Sequence, residues 1–274
     1  MNRHVIEAMG KTRVVIEDGK VTDVGKPLVS YCPLFRKYRG IQEINSSAVK
    51  DNIEFRMKSF GMCTPHRELR IKDFLSFGVS EIIAMAVSKN MLDCAVVVCD
   101  GAGTVVVSDP ELIQGIGGRL SAVIETTPYS EIINALGRDF VLDPRSGKID
   151  QFEGVCLADR LGFRKIGVTV VSADEASKIR VRFGERAAIF AVHTTGASKD
   201  DALRFFDACD IVTACASRWV REVAAERALF AVGRKIPVYA ATEFGKALML
   251  ERLAMIPHKT NEDDRGEDCP HPLI

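Results

Sequence analysis

The sequence predicts an α/β protein with a doubly wound, mostly parallel sheet in its C-terminal half, an N-terminal β-hairpin and a mixed α/β first half. Three observations support this fold class. After residue 166, apolar runs alternate with amphipathic segments that begin at capping residues, a pattern typical of parallel strands covered by helices on both faces. The dipeptide Asp18-Gly19 between two valine-containing runs indicates a tight hairpin turn. Residues 94–99 are entirely apolar and predict a buried strand.

The elements of the first half follow from local signals. The hairpin is predicted over residues 12–24. A helix over about 46–59 has apolar residues at four-residue spacing and Ser46 or Ser47 as its N-cap. A second helix, over about 75–90, leads into the apolar strand, and a glycine-containing turn then leads into another valine run.

The second half repeats a strand–helix rhythm. Strands are predicted at about 166–171, 187–192, 211–215 and 236–240, and helices at about 173–183, 198–208, 217–229 and 242–254. Ser172 with Glu175 predicts a capping box, and Ser198 with Asp201 approximates one. Right-handed crossovers then place the strands side by side in one parallel sheet.

Composition limits the class of protein. The 274 residues are 47% hydrophobic and include 37 Lys plus Arg against 37 Asp plus Glu, so we expect a sizeable core and no overall field that attracts nucleic acid or an acidic membrane. The sequence has no run of about eighteen apolar residues and no signal-peptide pattern, so we expect a cytoplasmic protein. We expect it to bind neither nucleic acid nor a membrane, and its oligomeric state is left open. We expect an N-terminal lobe of residues 1–150, a C-terminal lobe of 151–254 and a flexible tail of 255–274.

The carboxyl ends of the parallel strands are the expected place for chemistry, because open α/β sheets bind ligands there. His193 follows one strand and Cys215 ends another. His193 is suited to act as a general base, and its alternative role is a histidine hydrogen-bonded at a strand end. Cys215 precedes a helix start that favours a thiolate, and its alternative role is a small buried hydrophobe. Both are candidate catalytic residues.

The glycine-rich stretch of residues 96–119 does not fit the dinucleotide fingerprint, because Val106 stands where the third glycine belongs and a valine run follows instead of a helix. We interpret its start as a turn between two strands. Its last five residues form either a backbone nest for a phosphate or carboxylate or the end of a helix. The candidate ligand-binding residues here and beside the strand ends are Asp100, Gly101, Gly103, Gly115, Gly117, Gly118, Arg119, Thr194, Thr195 and Ser217.

The eight cysteines include no Cys-x-x-Cys pair, so a metal site would need residues that are far apart in sequence. The hypothesis is an iron–sulfur cluster or a zinc ion. Its candidate ligands are Cys32, Cys63, Cys99 and Cys215. The alternative is that these thiols do not converge.

Seven blocks of the sequence resemble a known family. They are YCPLFRKYRGI, FGMCTP, DFLSFGVSEI, VCDGAGTVVV, QGIGGR, FAVHTTG and DIVTACAS, in this order, over roughly residues 4–253. In these blocks the chain resembles the methanogenesis marker protein 8 family. The resemblance implies a setting in methane-producing archaea, and it brings no reaction, cofactor or site residue with it. An anaerobic cytosol slightly favours the iron–sulfur hypothesis.

Three functions follow as hypotheses. The first is an enzyme or enzyme-like protein that binds an anionic small molecule or coenzyme at the sheet edge, with His193 and Cys215 near the reacting group. The second is an iron–sulfur or zinc protein. The third is a noncatalytic assembly or maturation partner of a methanogenesis enzyme. We adopt the first.

Overall fold

The computed structural model describes residues 2–72, 77–118, 122–256 and 268–274. The strands are β1 (Arg3–Ala8), β2 (Thr12–Glu17), β3 (Lys20–Val24), β4 (Cys94–Cys99), β5 (Gly103–Val107), β6 (Ala122–Thr126), β7 (Ile166–Val170), β8 (Ala187–Ala191), β9 (Ile211–Thr213), β10 (Phe230–Val232) and β11 (Val238–Ala240). The helices are α1 (Pro33–Arg39), α2 (Ser46–Phe60), α3 (Val79–Ser88), α4 (Pro110–Gly117), α5 (Ser130–Leu136), α6 (Gln151–Arg160), α7 (Ala173–Phe183), α8 (Lys199–Ala208), α9 (Arg218–Arg227) and α10 (Glu243–Ala254). The order of elements confirms the α/β class. Part of the second helix predicted in the first half lies outside the described residues.

The larger sheet has seven strands in the order β10-β11-β9-β8-β7-β4-β5. Strands β4, β7, β8 and β9 are parallel, and antiparallel strands flank them on both sides. The mostly parallel sheet is therefore confirmed, and the carboxyl ends of its four parallel strands share one edge. The sheet takes strands from both sides of residue 150, and the division into two lobes stays a prediction.

Helices cover both faces of this sheet, as the apolar runs predict. Helices α3, α4, α5 and α10 pack on one face, and α6 to α9 pack on the other. The side chains of β4 alternate accordingly: Ala95 and Val97 join the first core, whereas Cys94 and Val96 join the second. No helix in the described ranges is both long enough and apolar enough to span a bilayer.

The smaller sheet is antiparallel, in the order β3-β2-β1-β6. The predicted hairpin forms its β2–β3 pair. Asp18 and Gly19 have φ values of 45° and 75°, which is the left-handed backbone that a tight hairpin turn of this kind requires. Helix α2 packs against this sheet in a third core. Its N-cap is Asn45, whose side chain accepts the Ala48 N–H, so the prediction of Ser46 or Ser47 as the cap was wrong by one or two residues.

Two helix caps differ from expectation in an informative way. At α7, the Ser172 hydroxyl accepts the Glu175 N–H, but the Glu175 side chain turns away to another helix. The complete capping box is at α8, between Ser198 and Asp201. The predicted box at Ser172 is therefore only half formed, because the Glu175 carboxylate has a different partner.

The last described residues, 268–274, pack on the protein, although we expected them to belong to a flexible tail. His271 pairs with Tyr31 through backbone hydrogen bonds, and their rings stack with centroids 4.6 Å apart. The Ile274 N–H donates to the Ala216 carbonyl at 3.0 Å. This segment thus joins the loop before α1 to the loop before α9.

Candidate functional site

A cleft of about 150 Å³, here called the apolar cleft, lies at the carboxyl ends of β4, β7 and β8. Helices α3 and α4 and strand β6 complete its walls. Most of the side chains around it are aliphatic, among them Val79, Ile83, Val97, Ile113, Val123 and Ile149. Such a concave, mainly apolar site with a few polar groups is the usual form of a small-molecule site. Its position agrees with the edge predicted from the strand order.

The polar groups in this cleft include Gln151, Thr169, Glu175 and His193. The Gln151 amide nitrogen donates to the Thr169 carbonyl at 2.6 Å, and its oxygen accepts the Thr104 hydroxyl at 2.9 Å. Gln151 therefore stabilises the wall. Glu175 and His193 are the titratable groups of this polar set.

Glu175 reaches from the first turn of α7 to the start of α6. Its Oε1 accepts the backbone N–H of Gln151 at 2.7 Å and that of Phe152 at 3.3 Å. Burial raises the pKa of Glu175; the two amides and Lys178 oppose the shift, and Asp150 adds to it. Both amide bonds use the same oxygen, so the other carboxyl oxygen is not engaged by these amides. A carboxyl group in this position is able to exchange a proton with a bound molecule.

A second cleft of about 280 Å³, here called the polar cleft, adjoins the first and shares Val171 and His193 with it. Its other walls include Lys11, Ser172, Thr194 and Thr195. Lys11 comes from the smaller sheet, where its ammonium group lies 3.3 Å from the Glu7 carboxylate. Thr194 and Thr195, two candidate ligand-binding residues, thus lie beside a cation that the sequence analysis did not select.

His193 lies where the two clefts meet. Its backbone has a φ of 54°, a left-handed conformation that is uncommon outside glycine and often found at functional sites. Burial lowers the pKa of His193 to about 4, and the charge of Lys11 contributes to the shift. The imidazole is therefore neutral at pH 7 and able to accept or donate a hydrogen bond.

We expect His193 to titrate near pH 4 when its ring signals are followed by NMR. Because the unfolded chain binds this proton with the ordinary pKa of 6.5, the stability associated with neutral His193 is present above pH 6.5 and is lost as the pH falls towards 4. The His193→Asn variant, which tolerates the left-handed backbone, is expected to lose this part of the pH dependence. Titration of His193 near 6.5 would contradict the expectation.

Cys215 supports the His193 loop from behind and is not among the residues that line either cleft. The backbone amides of His193 and Thr194 lie near its sulfur and act to lower the thiol pKa, and its φ is 46°. Burial nevertheless raises the pKa of the thiol above its ordinary value. The expectation that the following helix favours a thiolate is therefore not met, and the amides come instead from the neighbouring strand end.

Asp100 belongs to a buried network and not to a cleft. Its carboxylate accepts Arg67 Nε at 3.0 Å and the Cys63 N–H at 2.6 Å, and both members of the ion pair are fully buried. Arg67 also donates to the Gly115 carbonyl at 2.7 Å. Gly101 is buried in the turn after β4, and Gly103 is buried at the start of β5. These three candidate ligand-binding residues therefore contribute packing at the strand end.

A second buried network joins the two sheets at the same turn. The Gly101 N–H donates to the Thr126 hydroxyl oxygen at 2.7 Å, and His4 Nδ1 lies 2.8 Å from the same oxygen. His4 Nε2 lies 3.0 Å from the Tyr129 hydroxyl, which donates to the Cys63 carbonyl. Burial lowers the pKa of His4, so the network is held by neutral hydrogen bonds.

The remaining candidate ligand-binding residues are four from the end of the glycine-rich stretch and Ser217. Gly117 lines the apolar cleft, whereas Gly115 packs against the backbone of Leu69. Gly118 ends α4, and Arg119 lies outside the described residues. Ser217 is the buried N-cap of α9 and accepts the Val220 N–H at 3.3 Å.

The four cysteines proposed as metal ligands are found in two separate surroundings. Cys63 and Cys99 lie close enough for one charge to raise the pKa of the other, and Cys32 has the same effect on Cys215. Within the described ranges, no group of three or more His, Cys, Asp and Glu side chains is arranged to hold a metal ion. The metal hypothesis gains no support from this geometry.

Fold and clefts together define a three-layer α/β protein with a concave site at the carboxyl edge of its parallel strands. The chain belongs to the family described as an uncharacterized protein conserved in archaea (DUF2099), whose model matches residues 4–254. It is 42% identical over 258 residues to an uncharacterized protein of Methanocaldococcus jannaschii, and the match covers 92% of this chain and 91% of that relative. No solved structure matches the chain.

Proposed function

We propose that this protein binds an anionic small molecule or coenzyme at the carboxyl edge of its large sheet and that His193 contacts the reacting group. The observation that supports this most directly is the apolar cleft at this edge, because ligand sites of α/β sheets form there. Lys11 supplies positive charge beside His193. Glu175 supplies a carboxyl group for proton transfer.

Cys215 has a positioning role in this proposal. Its thiol lies beside the backbone amides of His193 and Thr194, and in this proposal it holds the backbone next to the imidazole. The link to methanogenesis is likewise part of the proposal, and it is supported by the resemblance of the seven sequence blocks. The ligand is then a phosphorylated or sulfonated coenzyme of the kind that such a pathway uses.

The Val171→Trp variant is expected to abolish ligand binding and to leave the fold intact. Val171 lines both clefts and is 54% exposed, so a larger side chain fills the shared opening without entering the core. The control is Val181→Trp, because Val181 is 88% exposed on α7 and lines neither cleft. A panel of phosphorylated and sulfonated coenzymes is screened by thermal shift, and the hits are measured by calorimetry.

Two results would contradict the proposal. One is the absence of binding by every anionic coenzyme in the panel. The other is binding that Val171→Trp and Val181→Trp reduce equally, since this would place the ligand elsewhere on the protein.

A further inference from the structure

We propose that the two clefts hold a single amphipathic molecule, with an extended apolar body in the apolar cleft and an anionic head in the polar cleft. This inference rests on the proposed function and specifies the ligand class. The two clefts share Val171 and His193, so one molecule is able to occupy both. The ligand class is therefore that of alkyl or acyl chains that end in a phosphate, sulfonate or carboxylate.

The apolar cleft selects the body of the ligand. Its aliphatic walls come from strands of both sheets and from two helices. An alkyl chain that enters the cleft is therefore removed from contact with water on several sides. Of its polar groups, the Gln151 amide is already bonded to Thr169 and Thr104. The cleft therefore offers the middle of a bound chain few hydrogen-bond partners.

The polar cleft selects the head. Lys11 is the basic residue among its walls, and the hydroxyl-bearing residues Ser172 and Thr195 line it as well. Two carboxylates lie nearby. Asp201 is occupied by the Ser198 cap, and Glu7 forms an ion pair with Lys11. An anionic head must therefore compete with Glu7 for the ammonium group of Lys11. Loss of the Lys11 charge is then expected to weaken binding of the head, and loss of the Glu7 charge to strengthen it.

His193 then faces the bond between body and head. It lies at the junction of the clefts, its backbone is left-handed, and its amide lies beside the Cys215 thiol. A neutral imidazole at this point hydrogen-bonds the polar group where the chain joins the head.

The test uses butyl, hexyl and octyl phosphate as probes, with inorganic phosphate and 1-octanol as the two separate parts. Calorimetry on the full chain is expected to show an affinity that rises by about fourfold for each methylene group added. Lys11→Gln is expected to weaken octyl phosphate on the order of tenfold and to leave octanol unchanged. Glu7→Gln is expected to strengthen octyl phosphate. Val171→Trp is expected to abolish the binding of octyl phosphate and of octanol. Val181→Trp is expected to leave both affinities unchanged.

Affinity that does not depend on chain length, or an equal effect of Lys11→Gln on octyl phosphate and octanol, would overturn the inference. If no alkyl phosphate binds but a coenzyme binds in a manner that Val171→Trp abolishes, the amphipathic ligand is excluded and the proposed function stands. If no compound binds in a manner that depends on Val171, both are excluded.

Discussion

Replacement of Arg67 by methionine is expected to lower the free energy of unfolding by about 3–5 kcal/mol, because the variant leaves the Asp100 carboxylate buried without its cation. The ion pair has a distance of 3.0 Å, and neither side chain has any exposed surface. The variant also removes the donor to the Gly115 carbonyl, which connects α4 to the segment after α2. A buried acceptor without a donor adds to the loss.

The measurement is chemical denaturation at pH 7, and its control is Arg70→Met. Arg70 forms an ion pair with Asp109 in which the side chains are 54% and 36% exposed, so its loss is expected to cost less than about 1 kcal/mol. The double variant Arg67→Met with Asp100→Asn is expected to be more stable than Arg67→Met alone, because no uncompensated charge remains. A loss below about 1 kcal/mol for Arg67→Met would show that the ion pair does not stabilise the fold.

The position of Asp100 shows what can be predicted from the rule that ligands bind at the carboxyl ends of parallel strands. The rule that ligands bind at the carboxyl edge locates both clefts correctly, and it selects His193 because that residue follows β8. The same rule selects Asp100, which follows β4. At this strand end, however, the turn is covered by Tyr129 and the segment around Cys63. Such cover depends on contacts between residues that are far apart in sequence, and no local pattern reports it.

Glu175 and Lys11 were missed for two different physical reasons. Glu175 has a sufficient local explanation, since its spacing from Ser172 fits a capping box, and only the fold reveals that its carboxylate bonds to the start of α6. Lys11 belongs to the smaller sheet, and its approach to Gly196 depends on how the two sheets pack. The left-handed backbone of His193 is a feature often found at functional sites, and the sequence alone does not contain it.

Elements with complete local signals were predicted well. The hairpin at Asp18-Gly19 and the strands β4, β7 and β8 each combine an apolar pattern with a turn or a cap, and all are confirmed. The packing of residues 268–274 was not predicted, because this segment has no helix or strand pattern and is held by backbone hydrogen bonds to Tyr31 and Ala216. Composition indicates how much apolar surface a segment is able to bury. It does not indicate whether the backbone of that segment pairs with another part of the chain.

Replacement of Gly115 by alanine is expected to destabilise the protein by roughly 3 kcal/mol or more, through overpacking against backbone that cannot move aside freely. A Cβ atom at this position would lie 1.8 Å from the Leu69 carbonyl oxygen and 2.8 Å from the Arg70 nitrogen. The segment is also fixed to α4 by the Ile71 N–H, which donates to the Glu111 carbonyl. Relief of the clash therefore requires the segment to separate from the helix.

The matched control is Gly117→Ala on the same helix, where the new Cβ would lie 3.4 Å from the Ser80 Cβ. There the gain in helix propensity, about 1 kcal/mol, offsets a small repacking cost, so stability is expected to change little. Denaturation of both variants tests whether Gly115 is required for the close packing of α4. Destabilisation confined to Gly115→Ala would mean that this glycine permits close packing of Leu69. Equal stability of the two variants would mean that the close approach of Leu69 to α4 does not require a glycine at position 115.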